Sequence, residues 1–212
     1  MNRRQAGSRF LWIFLASGAL AACGSSAPIR YYTLQRIDPV QRTDAAQVLD
    51  SGRSGGAAMP VRLEPVAIPA ELDRPELVTH TGPYRVRIAD SERWVAPLED
   101  QIRRVLSDDL AERLPAHWIA DPLEAAGDDP RRLLSVAIVE FYADDSCAAT
   151  LRADWSLRGP SAGSRRGTEQ IQMPGNGSCQ GTVAAAMSSV LAQLADRLAQ
   201  AILACTGDAC PR

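Results

Sequence analysis

The chain alternates apolar and polar residues in short runs, and twice switches to helical spacing. Ile29 to Leu34 (IRYYTL) is rich in strand formers. Val61 to Val66 (VRLEPV) alternates, although Pro65 limits its ladder bonds. Glu76 to Thr81 and Tyr84 to Ala89 are strand-like and joined through Gly82-Pro83, which predicts a hairpin. From Arg93 to Leu114 the period changes. Trp94, Leu98, Ile102, Val105, Leu106 and Leu110 recur at steps of three and four, which predicts a helix with one apolar stripe. Pro97 suits its first turn, Asp90 or Ser91 would cap it, and Leu114-Pro115 ends it.

Three further strands follow. Arg132 to Tyr142 is apolar on both faces over Val136 to Val139, as in a central strand. In Cys147 to Leu157 the residues Cys147, Ala149, Leu151, Ala153, Trp155 and Leu157 point one way and polar residues the other, so one face is covered. Asp144-Asp145 suit the turn between these two strands. Arg165 to Met173 is more polar and reads as an edge. The last helix spans about Thr182 to Ala204, with Val183, Met187, Val190, Leu191, Leu194, Leu198 and Ile202 as its stripe. Residues 38–60 have no hydrophobic period and read as a flexible insertion. Two stripes and several one-faced strands predict an α+β fold: a mainly antiparallel sheet with two amphipathic helices packed on one face.

Composition narrows the classes. The 212 residues are 46% hydrophobic and 23% charged, which suits a globular domain and excludes collagen, a rod and a wholly disordered chain. All 23 cations are arginine, so no lysine is available as a phosphate-loop ligand or Schiff base. A net charge of −2 gives no sign of a nucleic-acid partner.

The amino terminus changes the arithmetic. Arg3, Arg4 and Arg9 precede an apolar run from Phe10, which is the layout of an export signal and too short for a membrane-spanning helix. The run ends Leu20-Ala21-Ala22-Cys23-Gly24, which resembles the bacterial lipobox. That resemblance implies cleavage after residue 22 and diacylglycerol on Cys23. Each buried methylene contributes about 0.8 kcal/mol, so two or more chains anchor stably. Removing residues 1–22 removes three arginines and no acid, leaving 20 arginines against 25 acids and a charge of −5. By resemblance to lipoprotein sorting, Gly24 in place of aspartate implies the periplasmic face of the outer membrane.

Of five cysteines, Cys23 is thereby set apart. Cys147, Cys179, Cys205 and Cys210 form an even set, suited to disulfides in an oxidising compartment, with three pairings open. Cys205 and Cys210 enclose only four residues, which leaves Cys147 with Cys179. The spacing shows no CxxC, and no zinc site is expected.

Chemistry is sparse. Gly159-Pro160-Ser161-Ala162-Gly163 matches G-x-S-x-G, but a polar, strand-like stretch follows where a nucleophile elbow needs a helix. Both histidines, His80 and His117, lie upstream of Ser161, so this is read as a hairpin loop. Asp108, Asp109 and Glu112 read as a solvated helix face. No catalytic residue, metal or cofactor is expected beyond the lipid on Cys23.

Several stretches read together resemble a family: Ala27 to Leu34 after the lipobox, Val61 to Pro69, Leu72-Asp73-Arg74-Pro75-Glu76-Leu77-Val78, and Arg93-Trp94-Val95-Ala96-Pro97-Leu98. In this order they resemble the ABC-type transport auxiliary lipoproteins, the PqiC-like family. The resemblance covers residues 27–204; the longer insertion 38–60 and the extra cysteines depart from it. The division is then a signal peptide at 1–22, a tether at 23–28, one domain at 29–204 and a tail at 205–212. The family implies a non-enzymatic outer-membrane lipoprotein of an intermembrane lipid transport system. Its partners would be an MCE-domain periplasmic protein with its ABC permease and ATPase, and outer-membrane lipid. A homo-oligomer stays open. The other reading is a structural or assembly partner of an outer-membrane barrel. Leu72, Asp73, Arg74, Pro75 and Trp94 carry the resemblance, either as partner contacts or as structure.

Overall fold

The cleanest alternation in the sequence becomes the middle of the larger of two sheets. The structure, a computed structural model, describes residues 27–37, 60–82, 84–115, 118–119, 132–159, 164–175 and 183–205. In chain order the elements are β1 (Arg30–Tyr32), β2 (Val61–Leu63), β3 (Glu76–Gly82), β4 (Arg85–Trp94), α1 (Leu98–Arg113), β5 (Arg132–Ala143), β6 (Ala149–Arg158), β7 (Ser164–Met173) and α2 (Val183–Ala204). One sheet has the order β2-β5-β6-β7 and the other β1-β4-β3. The fold is α+β. The insertion lies outside the described residues up to position 59.

The sheets are mainly antiparallel, as expected, but mixed rather than purely so. The β3–β4, β5–β6 and β6–β7 ladders are antiparallel, but β1 runs parallel to β4 and β2 parallel to β5. The two parallel strands are short and pair with strands about sixty to seventy residues further along the chain, so neither pairs with its chain neighbour as a hairpin would. β5 is the hinge of the arrangement. Its first half pairs with β2, and the ladder continues through Ala67, whose N–H donates to Val136 O at 3.1 Å. Its register with β6 shifts between Ile138 and Glu140. Beyond that bulge, Asp144 bridges to His80 of β3 and so joins the two sheets.

The six inward residues expected from Cys147 to Leu157 are all buried. Trp155 lies over Gly167 of β7, where an added Cβ would stand 2.9 Å from the indole ring. Asp144 shapes the β5–β6 turn. Its Oδ1 accepts from Ser146 N at 2.8 Å, Ser146 Oγ at 2.7 Å and Ala148 N at 2.9 Å. Partial burial pushes the Asp144 carboxyl up, but those hydrogen bonds outweigh it and hold the pKa below its ordinary value. Its contribution is therefore complete above the ordinary carboxylate range and is lost as pH falls through the lowered value.

The first helix is shorter than its periodicity suggested. Arg93 and Trp94 belong to β4, because Trp94 N–H donates to Pro75 O at 2.7 Å and Val95 N–H to Tyr32 O at 2.9 Å. Neighbouring strands therefore claim these donors before the helix can. The N-cap is Pro97, without a side-chain cap bond, rather than Asp90 or Ser91. Gln101 is buried and holds the chain after β1. Its Oε1 accepts from Leu34 N at 2.9 Å and its Nε2 donates to Ala96 O at 2.8 Å.

The helices pack on each other through an ionic joint the sequence did not suggest. Asp109 is not on a solvated face; it is fully buried. Arg113 donates to Asp109 Oδ1 at 2.8 Å, to Asp196 Oδ1 of α2 at 2.6 Å and to Ala192 O at 3.3 Å. Asp108 and Glu112 are ion-paired, with Arg104 and Arg36. At the far end of α2, buried Arg132 donates to Cys205 O at 2.9 Å and lies 5.3 Å from the Trp118 ring centre, so a cation meets the negative helix terminus.

Arg113→Met strips the guanidinium from a buried carboxylate, a loss of about 3–5 kcal/mol where one partner of a buried pair is removed. Urea denaturation of Arg113→Met against wild type checks this; a change below 1 kcal/mol, within the roughly 0–1 kcal/mol of a surface pair, contradicts it.

Candidate interaction surface

Pro69 to Pro75 is the connection that leaves β5 where β2 ends and returns as β3. It is a tight turn: Leu72 N–H donates to Pro69 O at 2.9 Å, and Arg74 N–H to Leu72 O at 2.9 Å. Leu72 is buried, Asp73 is exposed, and Arg74 is half-buried. The Pro75 carbonyl receives the Trp94 N–H, so the structure brings the LDRP connection and Trp94 together. Trp94 is 5% exposed and is part of the core. Within the resembling stretches, the Nε atoms of Arg74 and Arg93 are both buried without a hydrogen-bond partner.

Beside this turn lies an open groove of about 700 Å³. Pro69, Leu72, Val78, Val86 and Ile88 supply its apolar walls, and Arg74 lies on its rim. Val78 pairs with Ile88, and His80 with Val86, so all four share one face of the hairpin. His80 stacks on Tyr142 of β5, with ring centres 3.7 Å apart and planes 10° from parallel. His80 is thus an aromatic wall at the seam between the sheets. The groove offers apolar surface, a stacked ring pair and a guanidinium, which are means of holding a ligand or partner. Sequence reasoning missed it, although the alternation Tyr84-Arg85-Val86-Arg87-Ile88 carried the signal of one apolar hairpin face.

The other predicted residues are placed as follows. Cys23, Cys179, Cys210, His117 and Ser161 lie outside the described residues. Cys147 and Cys205 are each disulfide-bonded. They cannot be bonded to each other. Cys147 follows the end of β5, while Cys205 sits at its start through Arg132. Eleven steps of strand separate those ends, about 36 Å at roughly 3.3 Å per residue, against a disulfide Cα limit near 7 Å. Cys147 holds a left-handed backbone, φ 63°, with its N–H on Asp144 O at 3.0 Å. No group of three or more metal-ligating side chains occurs among the described residues. No helix among them is long and apolar enough to cross a membrane.

Comparison with known proteins gives the surface its context. Residues 32–199 match the family described as ABC-type transport auxiliary lipoprotein component. The chain is similar to the intermembrane transport lipoproteins PqiC of Escherichia coli strain K12 and of Shigella flexneri. It is 30% identical to each over 114 residues, 52% of this chain and 59% of each relative. It thus spans about six-tenths of the length of those curated relatives. Two solved structures share the fold. One, described only as an uncharacterized protein, has a TM-score of 0.66 at 19% identity, covering 82% of this chain and 98% of that one. The other, from Xanthomonas campestris, has a TM-score of 0.57 at 16% identity, covering 82% and 93%.

The turn predicts its own test. Asp144→Ala removes an acceptor of three hydrogen bonds and lowers stability at neutral pH by about 1.5–4.5 kcal/mol, each net bond contributing roughly 0.5–1.5. The difference narrows in acid as the wild-type carboxylate protonates. Urea midpoints at neutral and acid pH measure both; an equal difference at both contradicts the role given to the carboxylate. The match over residues 32–199, on a fold that places LDRP against Trp94, means that the chain belongs to the ABC-type transport auxiliary lipoprotein family.

Proposed function

We propose that this chain is the outer-membrane lipoprotein of an ABC/MCE-type system that moves lipid between membranes. The family match across most of the domain carries the reading. Two relatives named as intermembrane transport lipoproteins support it. So does the amino-terminal pattern, with three arginines, an apolar run and Leu20-Ala21-Ala22-Cys23. Residues 1–22 direct export, Cys23 carries the acyl lipid, and the domain faces the periplasm. Its role is non-enzymatic: it docks the periplasmic conduit or receives what that conduit delivers. Tethering confines the domain to a surface and raises its effective concentration for a partner there.

The partners are an MCE-domain periplasmic protein and, through it, an ABC permease and ATPase. In-cell crosslinking of the full chain followed by mass spectrometry recovers an MCE-domain protein on this reading. Recovery of an outer-membrane barrel in its place overturns it in favour of an assembly partner.

The disulfides are proposed as Cys147–Cys179 and Cys205–Cys210. The first ties the β5–β6 turn to the segment before α2, and the second closes a short loop after α2. Non-reducing peptide mapping yields these two crosslinked pairs; a Cys147–Cys210 or Cys179–Cys205 peptide contradicts the pairing.

A further inference from the structure

The large hydrophobic side chains left exposed among the described residues are Ile29, Tyr31, Tyr84, Val86, Ile88 and Val95. All six belong to the β1-β4-β3 sheet or border it. An antiparallel hairpin normally buries its apolar face and leaves its polar face to water. This sheet has a covered face and also an apolar outer one. Trp94 is buried and Tyr32 pairs with it, so Tyr31 and its ladder partner Arg93 face away from the core. Ala89 is buried, so Ile88, the residue before it, and Val86 two further back face away as well. Ile29, two residues before Tyr31, shares their side.

The tether points at this face. Six steps of chain separate Cys23 from Ile29, at most about 22 Å at roughly 3.3–3.6 Å each. β1 is parallel to β4, so the chain reaches Arg30 from the side of the hairpin tip, where β4 begins. A lipid on Cys23 therefore holds the edge of this sheet within a short reach of the bilayer. Tyr31 is 63% exposed and combines an apolar ring with a polar tip, the pairing favoured at membrane interfaces. Arg93 shares this side as the ladder partner of Tyr31, and Arg74 lines the adjoining groove. Glu76 pairs with Arg93 in the ladder, and Glu71 and Glu140 border the groove, so the face is mixed in charge. Its attraction to lipid is then apolar insertion, and net charge contributes little.

We propose that the outer face of the three-stranded sheet, centred on Tyr31, Val86 and Ile88, rests on the bilayer surface that holds the chain. This orients the groove beside Val78 and Ile88 towards the lipid headgroups. The proposal rests on the reading of Cys23 as the anchor.

The test uses the full lipidated protein reconstituted into vesicles of phosphatidylethanolamine and phosphatidylglycerol with brominated acyl chains, which quench nearby tryptophan. Tyr31→Trp and Ile88→Trp replace exposed residues, and Gln200→Trp, on the exposed side of α2, is the control. Emission is read as the difference from wild type. The expected result is that the first two lose most of their added emission while the control keeps it. Vesicle flotation with equal quenching of all three overturns the surface and leaves the anchor standing. Failure to float overturns the anchor, and the surface with it. Emission from Tyr31→Trp and Ile88→Trp that depends on protein concentration and ignores bromine assigns the face to a second copy of the chain, and overturns the lipid.

Discussion

One edge of β5 serves two different strands, and the rest of the structure follows from that sharing. β2 and its extension to Ala67 take the first part of the edge, and β3 takes the last through the His80–Asp144 bridge. The chain must therefore leave the sheet and return within a few residues. Pro69 and Pro75 bound that detour, and the register shift between Ile138 and Glu140 opens room for it. Backbone groups left by the detour are met within the turn and by Trp94, which fixes the hairpin relative to α1. The groove is the space this detour leaves beside the hairpin. The LDRP motif and Trp94 are thus joined by architecture, with Asp73 turned outward and Arg74 half-buried along the groove.

Much of this was legible in the chain. In β6 strict alternation of Ala149, Leu151, Ala153, Trp155 and Leu157 gave both the element and its buried face, because period two has one physical reading on a half-covered sheet. The α2 stripe was equally plain, since all seven of its predicted residues are buried. Strand direction was not legible: nothing within IRYYTL or VRLEPV says which distant strand will pair or in which sense. Trp94 was misplaced because it sits four residues before Leu98, a helical interval. Only the donors taken by Pro75 and Tyr32 exclude the helix. Asp109 was misread because its burial depends on Arg113 reaching across to Asp196, a contact between elements far apart in sequence. The groove needed the fold, since alternation in β4 shows an apolar face without showing whether anything covers it.

The placement of chemistry agrees with a binding role. Buried ions join helix to helix at Arg113 and cap α2 at Arg132, and neither arginine lines the groove. The exposed apolar side chains gather on the smaller sheet and at its borders, where the chain enters β1. Buried ionic joints and exposed apolar face are thereby separated.

The proposed role depends on a lipid anchor at Cys23. Mass spectrometry of the amino-terminal peptide, from full-length protein expressed in a diderm bacterium and extracted from its envelope, tests it most directly. The account predicts a chain that begins at Cys23 and carries diacylglycerol on the thiol. A chain that keeps residues 1–22, or that begins at Cys23 with an unmodified thiol, contradicts it.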